Sequence, residues 1–344
     1  MYKKGIIAIF VAVFWIAFMT GSAYSASPFY EGKTLHLIVG TSAGGGFDTY
    51  SRMIARHMGK YIPGNPTIVV ENMTGAAFRV AAKHLNSRAK PDGLTIGNLT
   101  SQVIIRQILG DPSIDFDMRK FEYIGVPVKD NVVCAYTKAS GITSMEQLMA
   151  SKTPAKTGGI APGDVVSDVP RILKATLNLP LQIVDGYKGT SEIRLASESG
   201  EVAGTCFQWE SMKVTWSKGL TSGDVAVVLQ ATDKALPDLL NVPLAVNLAK
   251  SEEGRQLIRA GISSPASITR LYVLPPGTPK ERVIIMRKAF QDTLKDPEFL
   301  AEAKKSKLTI DPIPGEEVER IVNDLFILNP ALVAKSKEIL HPAK

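Results

Sequence analysis

Gly40-Thr41-Ser42-Ala43-Gly44-Gly45-Gly46-Phe47-Asp48 decides how this chain is read. The stretch follows an apolar run, Leu35–Val39. It precedes Tyr50, Met53, Ile54 and Met58, which recur at helical spacing. It is therefore a glycine-rich turn between a strand and a helix. A phosphate loop needs Lys after its last glycine, and here Gly45 is followed by Gly46. A dinucleotide fingerprint fits Gly44 and Gly46 but meets Thr49 where its third glycine should stand. Gly40-Thr41-Ser42-Ala43-Gly44 fits Gly-x-Ser-x-Gly, the turn that presents a serine nucleophile. A hydrolase of that kind has several strands before its serine, and here there is room for one. Its histidine would have to be His341, near the end of the sequence. A secreted serine hydrolase using Ser42 is thus the second reading. The first is a backbone anion cradle. Glycines allow close approach and positive φ, and N–H groups leading into a helix N-terminus attract a carboxylate or phosphate. Asp48 is then expected as the helix N-cap.

Similar turns recur outward from this one. Asn72-Met73-Thr74-Gly75-Ala76-Ala77 follows a strand at Ile68–Val70 and opens a helix over Ala76–Asn86. Asn98-Leu99-Thr100-Ser101 follows a strand at Leu94–Asn98 and opens a helix over Val103–Leu109. Further on, Gly158-Gly159-Ile160-Ala161-Pro162-Gly163-Asp164 precedes a helix over Val165–Leu177. Tyr187-Lys188-Gly189-Thr190 precedes another over Ser191–Ser199. Five such helix starts, in two separated groups, suggest two facing sets of N-termini around one cleft. Strands are also expected at Val132–Tyr136, Ile183-Val184, Val202–Phe207 and Val225–Leu229, and Thr143-x-x-Glu146 reads as a capping box. Thr278-Pro279-Lys280-Glu281 reads as an N-cap, a first-turn Pro and an N3 Glu. Alternating strands and helices imply an α/β chain of mostly parallel sheets, which bind ligands where strands end and helices begin.

The 344 residues suggest about two domains. With 45% apolar and 21% charged residues the composition is that of a globular protein, not a disordered or disulfide-dense one. Four scattered His and two Cys give no zinc spacing, so no metal is expected. The net charge of +7 is dispersed, which argues against nucleic acid as a partner. Lys3 and Lys4, an apolar run from Gly5 to Met19 and small residues through Ala26 read as a secretory signal peptide, residues 1–25. An exported chain lets Cys134 and Cys206 pair; the alternative is two separate buried thiols.

The order of motifs resembles a known family. Gly44–Asp48, Val70-Glu71-Asn72, Gly75-Ala76, Pro91-Asp92-Gly93, Tyr187-Lys188-Gly189 and Leu274-Pro275-Pro276-Gly277-Thr278-Pro279 stand as they do in the substrate-binding proteins of tripartite tricarboxylate transporters, the Bug receptors. The resemblance spans essentially all of the chain after the leader. It implies a type II periplasmic binding protein, with two α/β lobes and the ligand cleft between them. The first lobe would be residues 26–128 and 268–344, the second 129–267. It implies a monomeric, non-enzymatic solute receptor in the periplasm, without a cofactor, that delivers a small organic carboxylate to the permease subunits of a tripartite membrane transporter. Carried over by position, the ligand-binding residues are Ser42, Ala43, Gly45 and Asp48, then Gly75, Ala76 and Thr100, and in the second lobe Gly159, Gly163, Tyr187 and Gly189. This chain departs from the pattern in lacking Pro near Ser42-Ala43 and at Gly186, in Ile160–Asp164, and in having Ala77-Phe78-Arg79 where Gly-Gly-Asn is common. Phe78 and Arg79 either line the rim of the cleft or belong to core and solvent.

Overall fold

The structure is a computed structural model that describes residues 28–340. The expected leader and His341 lie outside the described residues. Among the described residues eleven strands form two sheets. The first holds β1 (Thr34–Val39), β2 (Thr67–Asn72), β3 (Thr95–Leu99), β4 (Glu122–Val126), β10 (Leu271–Leu274) and β11 (Ile313–Pro314), in the order β11-β4-β10-β3-β1-β2. The second holds β5 (Val132–Thr137), β6 (Ala155–Gly158), β7 (Leu181–Val184), β8 (Gly204–Gln208) and β9 (Val225–Ala231), in the order β7-β6-β8-β5-β9. Every residue of β4, β5, β8 and β10 is buried, as continuous apolar runs in central strands require, whereas β2 is the half-exposed edge.

The pairing is mixed rather than mostly parallel. β1 runs parallel to β2 and β3, and β6 runs parallel to β7 and β8. β10 is antiparallel to β3 and β4, and β5 to β8 and β9. The reason is the path of the chain. β4 leaves the first sheet at the end where the glycine turns lie. β5 therefore enters the second sheet from that side and runs away from it, and β10 does the same on the return.

Five helices begin at those turns: α1 (Gly46–Met58), α2 (Arg79–Ser87) and α3 (Gln102–Ile108) on the first sheet, α4 (Val165–Leu177) and α5 (Thr190–Glu198) on the second. α6 (Trp209–Thr215) follows β8, and α7 (Glu252–Ile258) lies against α4. After β10, α8 (Lys280–Thr293), α9 (Pro297–Lys305) and α10 (Gly315–Leu325) pack on the first sheet's side. The last helix, α11 (Pro330–Leu340), instead lies against α4 and α7. No described helix is long and apolar enough to cross a membrane. The expected cap of α8 differs: Thr278 donates its hydroxyl to Pro275 O (2.8 Å), and Pro279 precedes the helix without a side-chain cap.

Cys134 and Cys206 are register partners in β5 and β8 and are joined by a disulfide, so of the two readings the paired one is found. The two crossings between sheets meet at a buried ion pair. Arg270, just before β10, pairs with Asp130, just before β5, and both side chains are fully buried. Arg270 Nη2 also donates to Ser211 Oγ of α6 (2.6 Å), and its guanidinium stacks on Phe47 and Tyr50 of α1 (5.2 and 4.8 Å to the ring centroids). Replacing Arg270 by Met leaves Asp130 buried without its cation and is expected to cost about 3–5 kcal/mol. Adding Asp130→Asn recovers part of that loss, because the unpaired charge is gone. Urea unfolding of the two variants checks both the loss and the recovery.

Candidate functional site

The first turn is held by a network around Asp48. This residue is the third of α1, not its cap; Gly45 precedes the helix without a side-chain cap. The buried Asp48 carboxylate accepts from Gly44 N–H (2.9 Å), Arg52 Nε (2.9 Å) and Asn72 Nδ2 (2.9 Å). Asn72 also donates to Thr41 O (2.8 Å), which ties the end of β2 to the glycine turn. Burial pushes the Asp48 carboxyl up, but the hydrogen bonds from Arg52, Gly44 and Asn72 outweigh it and hold it below the ordinary range. Asp48 thus shapes the turn. Thr100 is likewise buried, its hydroxyl accepting from Gln102 N–H (3.4 Å) at the start of α3.

The second turn is strained. Gly75 has φ 135°, and Ala76, Ala77 and Phe78 follow with φ of 45°, 53° and 67°. Left-handed backbone costs a side-chain-bearing residue roughly 1–2 kcal/mol. This is why α2 starts at Arg79, later than the apolar spacing predicts. Phe78 holds the turn in place. Its ring is buried against Phe47 (4.9 Å between centroids) and against Gly40, where a Cβ would overlap it. Arg79 turns away to Asp111 (3.2 Å) and Ser113 (3.1 Å). Arg79 therefore lies away from the cavity, whereas Phe78 both belongs to the core and lines the cavity wall. The left-handed run leaves the N–H groups of Thr74, Gly75, Ala76, Ala77 and Phe78 without an acceptor among the described residues. Those of Thr41, Ser42 and Ala43 have none either.

The second sheet's turns close on these. A Cβ on Gly189 would overlap Ser42 Oγ, and one on Gly45 would lie 3.5 Å from Thr190 Oγ1. Arg106 of α3 rests on Gly163, where no side chain fits. Gly159 is packed on Ser167 and Asp185 and donates to Val184 O (2.8 Å). Tyr187 donates its hydroxyl to Glu201 Oε1 (2.6 Å), and Lys188 N–H donates to Glu192 Oε2 in the first turn of α5 (2.9 Å).

Between the two sets lies a cavity of about 240 Å³. Gly40, Thr41 and residues 74–78 form one wall, Ile160, Ala161 and Asp164 another, and Gly186, Tyr187 and Lys188 the third. Of the residues expected from the sequence, Gly75, Ala76 and Tyr187 line it. Ser42, Ala43, Gly45 and Gly189 lie where the first and fifth turns meet or beside that contact, and Asp48, Thr100, Gly159 and Gly163 sit behind the walls. Sequence reasoning missed Asp164 as a wall residue. Its place before α4 was visible, but that it faces inward was not. Asp164 Oδ1 accepts from Val166 N–H (2.9 Å) as the N-cap of α4. Burial, reinforced by Asp168 and Asp185, pushes its carboxyl up to about 7 against the pull of that bond.

Similar folds among solved structures decide the architecture. The periplasmic binding protein BugD superposes with a TM-score of 0.73 at 20% identity, over 90% of this chain and 98% of its own. The fold is that of the Bug periplasmic binding proteins. MatC from Rhodopseudomonas palustris, solved with bound malate, shares this Bug fold with a TM-score of 0.69 at 18% identity, over 90% of this chain and 99% of its own. A second R. palustris protein, solved with adipate, reaches 0.72 at 19%, over 89% and 97%. No protein-family model matches the chain. No curated protein matches it by sequence. In this fold the two sheets are the cores of two lobes, and turns from both sheets line the cavity between them.

Two outcomes follow from the carboxylates. Asp48→Ala leaves Arg52 and Asn72 without their acceptor and should cost about 2 kcal/mol in urea unfolding at neutral pH, more than a simple cap. Because its folded pKa is depressed, that stability is present above the unfolded value and is lost as pH falls through the folded one. Asp164 has the opposite sign. The folded protein keeps its proton up to about 7, whereas the unfolded chain releases it near 4, so Asp164 lowers stability as pH rises through that window. Asp164→Asn keeps the cap and should overtake the wild type over that window, by on the order of a few kcal/mol in thermal unfolding.

Proposed function

We propose that this chain is an extracytoplasmic solute receptor that closes its two lobes on a small organic carboxylate and delivers it to the membrane subunits of a tripartite transporter. We take the first lobe as residues 28–128 and 268–329, and the second as 129–267 with α11 resting on it. The observation that carries the reading is the strained second turn. Its residues, whose five N–H groups have no acceptor among the described residues, line a cavity that the second sheet's turns bound on the other side. Strain of this kind persists only where the surroundings enforce it, and it concentrates at ligand clamps. Such donors suit a carboxylate, which accepts several N–H bonds at once. The volume lies below that of drug-sized sites, so the ligand is small. Malate and adipate in the two R. palustris proteins are acids of this size and class.

The hydrolase reading needs a base beside Ser42. None of the described histidines bonds to it: His36 meets Glu71, and His57 meets Glu302 (2.8 Å) and Asp296 (3.8 Å). We read the protein as a monomer without catalytic chemistry, located in the periplasm.

Helix N-termini contribute about 0.3–1 kcal/mol each when exposed and up to ~2 when partly buried. Micromolar binding needs about 8 kcal/mol, so several turns must act together in a closed cleft. A thermal-shift screen of mono-, di- and tricarboxylates and amino acids should yield a hit. At about 100 times its dissociation constant that hit adds roughly 2.7 kcal/mol of apparent stability. The amide of the hit should fail, and the hit should reduce the radius of gyration in small-angle scattering. Equal shifts by neutral amides, or stoichiometric fluorophosphonate labelling of Ser42, would overturn the reading.

A further inference from the structure

Three acids stand at the second lobe's end of the cleft: Asp164, Asp168 and Asp185. Asp185 pairs with Arg171 (2.5 Å) and accepts from Ser167 (2.6 Å). Asp168 accepts from Gly163 N–H (2.8 Å), lies 3.8 Å from Arg171 and feels Arg106 across the lobe contact. Asp164 pairs with no lysine, arginine or histidine among the described residues. It is 1% exposed, yet it lines the cavity. One of its oxygens caps α4; the other, Oδ2, has no hydrogen-bond partner among the described residues. Lys188, the basic residue of the cavity wall, is exposed and makes no ion pair among the described residues.

A buried carboxylate costs a great deal of free energy unless a cation or several donors compensate it. Here one backbone N–H does so, and the space beside the carboxylate is the cavity. The opposite wall is Thr74–Phe78, whose N–H groups have no acceptor among the described residues, and free backbone donors attract negative charge. One wall therefore asks for an anion and the other for a cation. A volume of about 240 Å³, equivalent to a sphere roughly 8 Å across, is room for a small molecule that carries both.

We infer that the ligand is a small zwitterion, with its carboxylate on the Thr74–Phe78 turn and an ammonium group on Asp164. This deepens the proposed function and rests on it. The groups facing Asp164 agree. Asp168 on its own helix and Asp185 after β7 add only negative charge, while Arg106 and Arg171 act on Asp168. An ammonium in the cavity would supply the missing partner and draw the proton off Asp164, so affinity for a zwitterion should rise between pH 5 and 8. A plain diacid with a second carboxylate there would need Asp164 protonated and would show the reverse.

The test uses acid pairs that differ by one amino group: propionate and L-alanine, succinate and L-aspartate, glutarate and L-glutamate, adipate and L-2-aminoadipate. Calorimetry on the whole protein at pH 7.5 should show one amino acid binding at least tenfold tighter than its partner acid. In Asp164→Asn and Asp164→Ser, which both keep a helix cap, that preference should vanish, with the plain acid bound as well or better. Binding of the amino acid should release protons in buffers of different ionisation enthalpy. The inference fails, and the carboxylate receptor stands, if the plain acids bind as tightly as the amino acids or if both variants keep the preference. If no acid of either kind binds, both readings fail together.

Discussion

The buried Arg270–Asp130 pair sets the geometry on which the cleft depends. Its two residues lie at the two points where the chain passes between lobes. Asp130 and Ser211 accept from the two Nη groups of the Arg270 guanidinium, its carbon lies over the rings of Phe47 and Tyr50, and its Nε alone has no partner among the described residues. Burial lowers the Arg270 pKa to about 10, which still leaves it charged at neutral pH. Phe47 is the second residue of α1, directly after the three glycines, so the ion pair fixes where the glycine turn ends and the helix begins. Through Phe47 it also reaches Phe78, the anchor of the strained turn. One charge pair thus aligns two of the five turns.

That chain of contacts holds a run of main-chain donors without acceptors among the described residues. A backbone N–H asks for a conformation, not for a side chain. Residues 76–78 can be Ala, Ala and Phe, provided that burial of the Phe78 ring, worth roughly 1.5–3 kcal/mol, helps to offset the left-handed strain. Structures of the same fold can then differ at four residues in five and keep the cleft.

Much of this was legible in the sequence for one reason: periodicity and turn chemistry are local. The strand before the first turn and the helix over Val165–Leu177 were readable from apolar spacing and a flanking Asp. What failed was non-local. The direction of β5 and β10 depends on the side from which the chain enters a sheet, which no window of residues records. Asp48 looks like a cap because of its place, yet its partners Asn72 and Arg52 turn it into a brace. The role of Asp164 depends on what faces it across the cleft, and the strain at Phe78 on a ring contact 31 positions away, at Phe47.

The C-terminal helix has a practical consequence. The segment before it belongs with the first lobe, but α11 itself lies on α4 and α7 of the second. A fluorophore, tag or surface anchor attached after Leu340 would therefore ride with the second lobe. Paired with a label near the first lobe's edge strand β2, it would report lobe closure as a change in distance, whereas a partner label on α7 would stay silent.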